Sequence, residues 1–205
     1  MKIKWLGHAC FLVKGEKVKI LIDPYNDTVG YPIVNHKVDI LTMSHDHGDH
    51  CDSSWVEFEE QICIPDTFHF QGVEIKGFAS YHDDANGEKR GDNVIFEFVV
   101  DGVTICHLGD LGHILSDKLV ARLGSPDVLM IPVGGNYTID AKMAKKVVEQ
   151  LSPKLTIPMH YKTDICNATV SSADEFMELM GGEYLKGNSV EITDSTAGVM
   201  ALNYK

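Results

Sequence analysis

The chain has 205 residues, 44% of them hydrophobic, which suits one domain with an ordinary core and is short for two. Eighteen basic against 30 acidic residues give a formal net charge of −12. That balance opposes nucleic acid, whose counterions a basic face displaces, and opposes docking on an anionic membrane.

Residues 1–205 read as a single domain with no linker or repeat. The opening residues, Met1 to His8, carry no apolar run of the kind found in a secretion signal. Lys2–Leu6, Ala9–Lys14 and Lys17–Ile22 read as strands, with Gly15-Glu16 as a hairpin turn and Asp23-Pro24 as a stop. Residues 24–37 are turn-rich, and Asp39–Met43 is a short buried strand. Asp52–Gln61 reads as a short helix, then Ile62–Ile64 and Val73–Ser80 as strands. A polar loop over 83–93 follows. Val94–Val100 and Val103–His107 flank Asp101-Gly102, a strong hairpin signal. From there strands alternate with helices: Ser116–Leu123, capped by Ser116, then strand Asp127–Pro132. Helix Asp140–Leu151 has Ala141, Ala144, Val147, Val148 and Leu151 on one face. Strand Leu155–Pro158, helix Ala173–Met180 and strands Val190–Thr193 and Val199–Leu202 close the chain. Two mixed β-sheets with helices outside accommodate this order. The five cysteines are scattered, odd in number and without a CxxC pair, so a reducing, cytoplasmic setting is expected.

The chemistry concentrates in Ser44-His45-Asp46-His47-Gly48-Asp49-His50. Three histidines and two aspartates within six residues, in a loop after a strand, offer imidazole and carboxylate donors to more than one cation, and Gly48 permits the turn. Without thiolate, such a donor set suits zinc, manganese, iron or nickel rather than a structural cysteine-rich site. More candidates sit at other strand ends: His82, Asp110 in His107-Leu108-Gly109-Asp110, and His160. An aspartate at such a turn is able to bridge two cations with its two oxygens.

The HxHxDH run, the later His82, the Gly109-Asp110 pair and His160 resemble the metallo-β-lactamase-fold hydrolases. The resemblance extends from Gly7-His8-Ala9 to Pro158-Met159-His160-Tyr161 and includes Leu21-Ile22-Asp23-Pro24, Arg90-Gly91-Asp92-Asn93 and Pro132-Val133-Gly134-Gly135. It points to the short, lactonase-like branch that includes ascorbate-6-phosphate lactonase. It implies a four-layer αββα sandwich of two mixed sheets flanked by helices. It also implies two divalent metal ions, with zinc expected and manganese the alternative. His45, His47 and His82 would hold one; Asp49, His50 and His160 would hold the other; Asp110 would bridge them. Asp23 would fix a ligand histidine from behind.

Two such ions would make hydroxide available at neutral pH, which Asp49 would orient, for attack on a small anionic or lactone- or ester-type substrate. A phosphodiester makes related demands, so a phosphodiesterase is the alternative enzyme. A non-catalytic metal-binding or sensing protein is the alternative outside enzymes. His8 and His107 are candidates for proton transfer or site lining, against a hydrogen-bonded core role. His113, Tyr161, Lys162 and Arg90 are candidates for substrate contact. His47 stands where flavo-di-iron relatives use glutamate, which disfavours oxygen or nitric oxide reduction. The partner expected is a small molecule, and the sequence leaves the oligomeric state open.

Overall fold

The computed structural model describes residues 1–204. Three short meandering strands open the chain: β1 (Lys2–Gly7), β2 (Cys10–Lys14) and β3 (Lys19–Ile22). β4 (His36–Lys37), β5 (Ile40–Thr42), β6 (Val56–Glu57) and β7 (Glu60–Ile62) follow. β8 (Thr67–Phe70), β9 (Val73–Tyr81), β10 (Asp92–Val100) and β11 (Val103–His107) form an antiparallel run. Then come α1 (Asp117–Leu123), β12 (Val128–Pro132), α2 (Ala141–Leu151), β13 (Leu155–Met159) and α3 (Asp174–Met180), before β14 (Glu183–Tyr184), β15 (Ser189–Glu191) and β16 (Gly198–Ala201).

Two mixed sheets and a short parallel pair, β4 with β6, result. One has six strands in the order β15-β1-β2-β3-β5-β7; the other has eight, in the order β14-β16-β13-β12-β11-β10-β9-β8. Side chains alternate across a strand, and the alternation here separates two cores. Phe11, Val13, Ile20 and Ile22 join the large core shared with the eight-stranded sheet. Cys10, Leu12 and Leu21 point the other way, into a smaller cluster with Tyr25, Val29 and Tyr31.

Most expected elements appear within a residue or two of their expected ends. Asp101 and Gly102 carry φ of 51° and 77°, the paired left-handed geometry of a tight two-residue hairpin. Ser116 and Asp140 cap α1 and α2 through Leu119 N–H and Met143 N–H. The five residues expected on the inner face of α2 are the buried ones.

The expected helix over 52–61 is absent. Asp52 turns its carboxylate onto Ser54 N–H, and Asp39 O accepts from both Glu59 and Glu60 N–H, which feeds β7 alongside β5. Trp55 and Phe58 are exposed, so no apolar helical face exists to bury. The expected outer helical layer is therefore one-sided. α2 packs on β12 and α3 on β16, and both belong to the eight-stranded sheet. The six-stranded sheet is covered by the segment after β3, which holds a single 3-10 turn over Asp27–Val29. Strand β8 was also not anticipated.

Candidate metal centre

The site forms where strands of both sheets end. His8 follows β1, Asp23 follows β3, and the 44–50 loop follows β5. His82 follows β9, Asp110 follows β11, and His160 follows β13. Three of these residues, His8, Asp23 and His160, hold φ near +50°, a region that costs a non-glycine residue about 1–3 kcal/mol. Cross-chain bonds hold them there. His160 N–H donates to His8 O, which also accepts from Trp5 Nε1–H, and Asp23 N–H donates to Thr42 O.

Three overlapping groups of donors result: His45, His47 and His82; His8, Asp49, His50 and His160; and His45, His50 and Asp110. Within each, the donor atoms lie within 4.8 Å of one another. Asp110 reaches both sides. Its Oδ2 lies 3.2 Å from His82 Nε2 and 3.2 Å from His160 Nε2, and its Oδ1 lies 3.2 Å from His50 Nε2. The centre fits a cation by its unmet bonds. His45 Nε2 is buried without a hydrogen bond, and His50 Nε2 and Asp110 Oδ1 face each other at 3.2 Å without forming one, although buried polar groups are nearly always partnered.

The groups behind the histidines fix which nitrogen faces inward. Asp23 Oδ2 lies 2.9 Å from His50 Nδ1, so a proton on Nδ1 leaves Nε2 free. The same carboxylate accepts from Ser44 N–H and Ser44 Oγ–H, at 2.8 and 2.6 Å. Ser44 Oγ then accepts from His45 Nδ1, 2.9 Å away, which leaves His45 Nε2 inward as well. One buried aspartate thus sets two ligand tautomers. Asn93 sets the turn that carries Asp110. Its Oδ1 accepts from Asp110 N–H, and its Nδ2 donates to Leu108 O. Gly109 is required there, because a Cβ would stand 2.2 Å from Asn93 Oδ1 and 2.7 Å from Ser44 Cβ. Ser44 and Asn93 were not singled out from the sequence. Their only signal is adjacency to His45 and membership of the Arg90–Asn93 segment.

Charge follows the same arrangement. Burial and the neighbouring His160 press the His8 pKa down to about 4, and burial and His50 press His45 down to about 3. Both are therefore neutral imidazoles. His50 is the exception: burial disfavours its charge, but Asp110 and Asp23 outweigh that and raise its pKa well above the ordinary value. Two carboxylates, Asp110 at 3.2 Å and Asp23 at 2.9 Å, thus flank the His50 ring. Asp110 and Asp49 both ionise well below the usual range despite burial, Asp110 through His160 and His50, Asp49 through the His8 hydrogen bond and His50.

His8 Nε2 lies 3.2 Å from Asp49 Oδ2, and the His8 ring packs 4.1 Å from His160. His8 thus stands directly against the donor cluster. His107 does not. Its Nε2 lies 2.9 Å from Ala9 O, and its Nδ1 accepts from Gly109 N–H. It is a saturated core histidine, which corrects the expectation of a proton-transfer role.

The expected substrate contacts are also spoken for. Tyr161 is buried, stacked 5.1 Å from Trp5, with its hydroxyl on Leu202 O. Lys162 Nζ donates to Cys166 O and Ala168 O. Arg90 donates to Asn136 O and sits over the Tyr137 ring at 5.5 Å. The ring nitrogens of His113 engage Tyr81 N–H and Ile114 O. The left-handed turn at His160 sends the chain away from the cluster, which explains Tyr161 and Lys162. The centre is open on the 45–49 side, where His47 is exposed and the Asp49 side chain is 37% exposed.

Two sheets meeting at such a His/Asp centre define a metal-dependent hydrolase of the metallo-β-lactamase class, and the comparisons agree. Residues 2–160 match the Beta-lactamase superfamily domain. A UPF0173 metal-dependent hydrolase of Carboxydothermus hydrogenoformans is 33% identical over 80% of this chain and 85% of its own. The crystal structure of a Thermotoga maritima protein, described as a Zn-dependent hydrolase of the metallo-β-lactamase superfamily, superposes with a TM-score of 0.84. It is 38% identical and covers 98% of this chain and 97% of that one. Igni18, a metallo hydrolase of Ignicoccus hospitalis, shares the fold at a TM-score of 0.68 and 21% identity, over 87% of this chain and 89% of its own. The chain belongs to the metallo-β-lactamase superfamily and, within it, to the UPF0173 family of metal-dependent hydrolases. Among the described residues no helix is long and apolar enough to cross a membrane.

Proposed function

We propose that the chain is a dinuclear hydrolase of lactones or esters, in the lactonase-like branch of its superfamily, acting in the cytoplasm on a small molecule. The observation that carries the dinuclear reading is Asp110, whose two oxygens each face ligand nitrogens, Oδ2 toward His82 and His160 and Oδ1 toward His50. His45, His47 and His82 would hold one ion; Asp49, His50 and His160 the other. Donors of nitrogen and oxygen alone favour zinc, with manganese the alternative. When bound, such ions supply Lewis acidity and activate water at neutral pH.

The protein's own part is to aim and exclude. Asp23 and Ser44 hold His50 and His45 with Nε2 inward. Asp49, half-exposed and held by His8, is placed to accept a proton from a reacting water and to orient it. Arg90 and Lys162 are committed to backbone carbonyls, so the expected anion-binding groups are engaged. This favours an uncharged ester or lactone over a phosphodiester.

Metal analysis tests the reading: about two equivalents of zinc or manganese per chain are expected. An Asp110→Ala variant should lose at least one and all turnover of a lactone and ester panel. One equivalent, unchanged in that variant, overturns the dinuclear site. Faster metal-dependent cleavage of bis(p-nitrophenyl) phosphate than of any lactone or ester favours the phosphodiesterase. Metal binding without turnover of anything favours sensing.

A further inference from the structure

A cleft of about 660 Å³ opens beside His45. Its walls come from both sheets: Met43 on the ligand loop's approach, Ile64 and Pro65 between β7 and β8, Ala79 and Tyr81 on β9, and Val94 on β10. Ile64 is 55% exposed and Tyr81 37%, so both present apolar surface to the cleft. The charged residues lining the cleft are Asp46 and Asp92, both exposed, with no cation paired to either among the described residues. No lysine or arginine lines it. A concave, mostly apolar space with a few polar groups, beside the candidate metal ligand His45, is built as small-molecule sites are.

We infer that this cleft holds the acyl side of the substrate, and that the substrate is an uncharged ester or lactone bearing an apolar chain of about six carbons or more. The inference rests on the proposed hydrolase reading and adds the substrate class. Methylene groups laid on Met43, Ile64, Pro65 and Val94 leave water, each contributing up to about fourfold in binding when fully buried. A carboxylate or phosphate at the end of the same chain, away from His45, would instead meet Asp46 and Asp92, like charge against like, with no lysine or arginine in the lining.

The test uses the metal-loaded enzyme and matched pairs. The kcat/KM for p-nitrophenyl esters should rise about two- to fourfold per added methylene from acetate to hexanoate. The carboxylate-ended adipate monoester should fall at least about tenfold below the hexanoate. Ile64→Lys, at an exposed position, should raise KM for the hexanoate and lower it for the adipate monoester. A calorimetric titration with the unreactive pair N-phenylhexanamide and adipic acid monoanilide should show the same order and the same shift in the variant. An adipate-ended ligand that binds or reacts as well as its neutral partner, or an Ile64→Lys variant that moves neither, overturns the inference. If no ester or lactone turns over while the amide pair keeps its order, the hydrolase reading fails and the cleft assignment stands.

Discussion

Asp23 lies at the bottom of the centre and touches no candidate cation position, yet it governs two of the histidines that do. Its carboxylate is fully buried, ionised below its usual range, and spends both oxygens on Ser44 and His50. Asp23→Ala or Ser44→Ala is expected to weaken metal binding about 10–100-fold, because the imidazoles become free to rotate or change tautomer. A zinc competition titration with an unchanged affinity would refute the relay. His8 offers a sharper comparison. His8→Gln keeps an N–H donor near Asp49 and should retain most activity, whereas His8→Leu should lose kcat with little change in KM. Equal loss in both variants would mean the imidazole itself is needed.

These residues also show where a sequence stops being legible. The ligands are readable because their spacing is local and their types are rare. The Asp23–Ser44–His45 relay joins positions about twenty apart through a common aspartate and an ordinary serine, so no local pattern announces it. Tyr161 and Lys162 mislead for the opposite reason. They adjoin His160 in sequence, but its left-handed backbone turns them onto Trp5 and onto the 166–168 carbonyls.

At the scale of elements, the helices were legible where an apolar face recurs at helical spacing, as in α2, and were misread over 52–61, where acidic residues with good helix propensity instead supply an edge strand. The end of the sheet opposite the site has its own fastening. Asp127, just before β12, accepts from Thr104 N–H at 2.9 Å on β11 and pairs with Lys154 at 2.5 Å, just before β13. The Lys154 hydrogen bond, then that of Thr104, lowers the Asp127 pKa. A carboxyl group depressed in the folded state stabilises fully above its unfolded value, about 4, and loses that contribution as pH falls through the lower folded value. Wild type should therefore exceed Asp127→Asn in urea midpoint at about pH 6, and the gap should close toward about pH 3. A gap independent of pH would assign the effect to packing.

For the whole molecule, the centre draws His8, Asp23 and the 44–50 loop from the six-stranded sheet, and His82, Asp110 and His160 from the eight-stranded one. A bound cation therefore ties the sheets together. Removing it with a chelator should lower Tm, and restoring zinc at about 100 times Kd should return about 2.7 kcal/mol. A Tm indifferent to chelation would mean that the sandwich holds its ligands in place unaided. The two-core arrangement is consistent with a substantial preformed scaffold, since Trp5, Phe11, Phe96 and Phe98 are buried independently of any ligand.

The backbone bond from His160 N–H to His8 O spans about three quarters of the described chain. During synthesis, a ribosome-bound chain released only as far as residue 150 has the 44–50 loop but no His160, so one of the three residues proposed for the second ion does not yet exist. Complete loading of the proposed second ion would then wait until β13 has docked and placed His160. Occupancy of that second position would then be a readout of completed assembly.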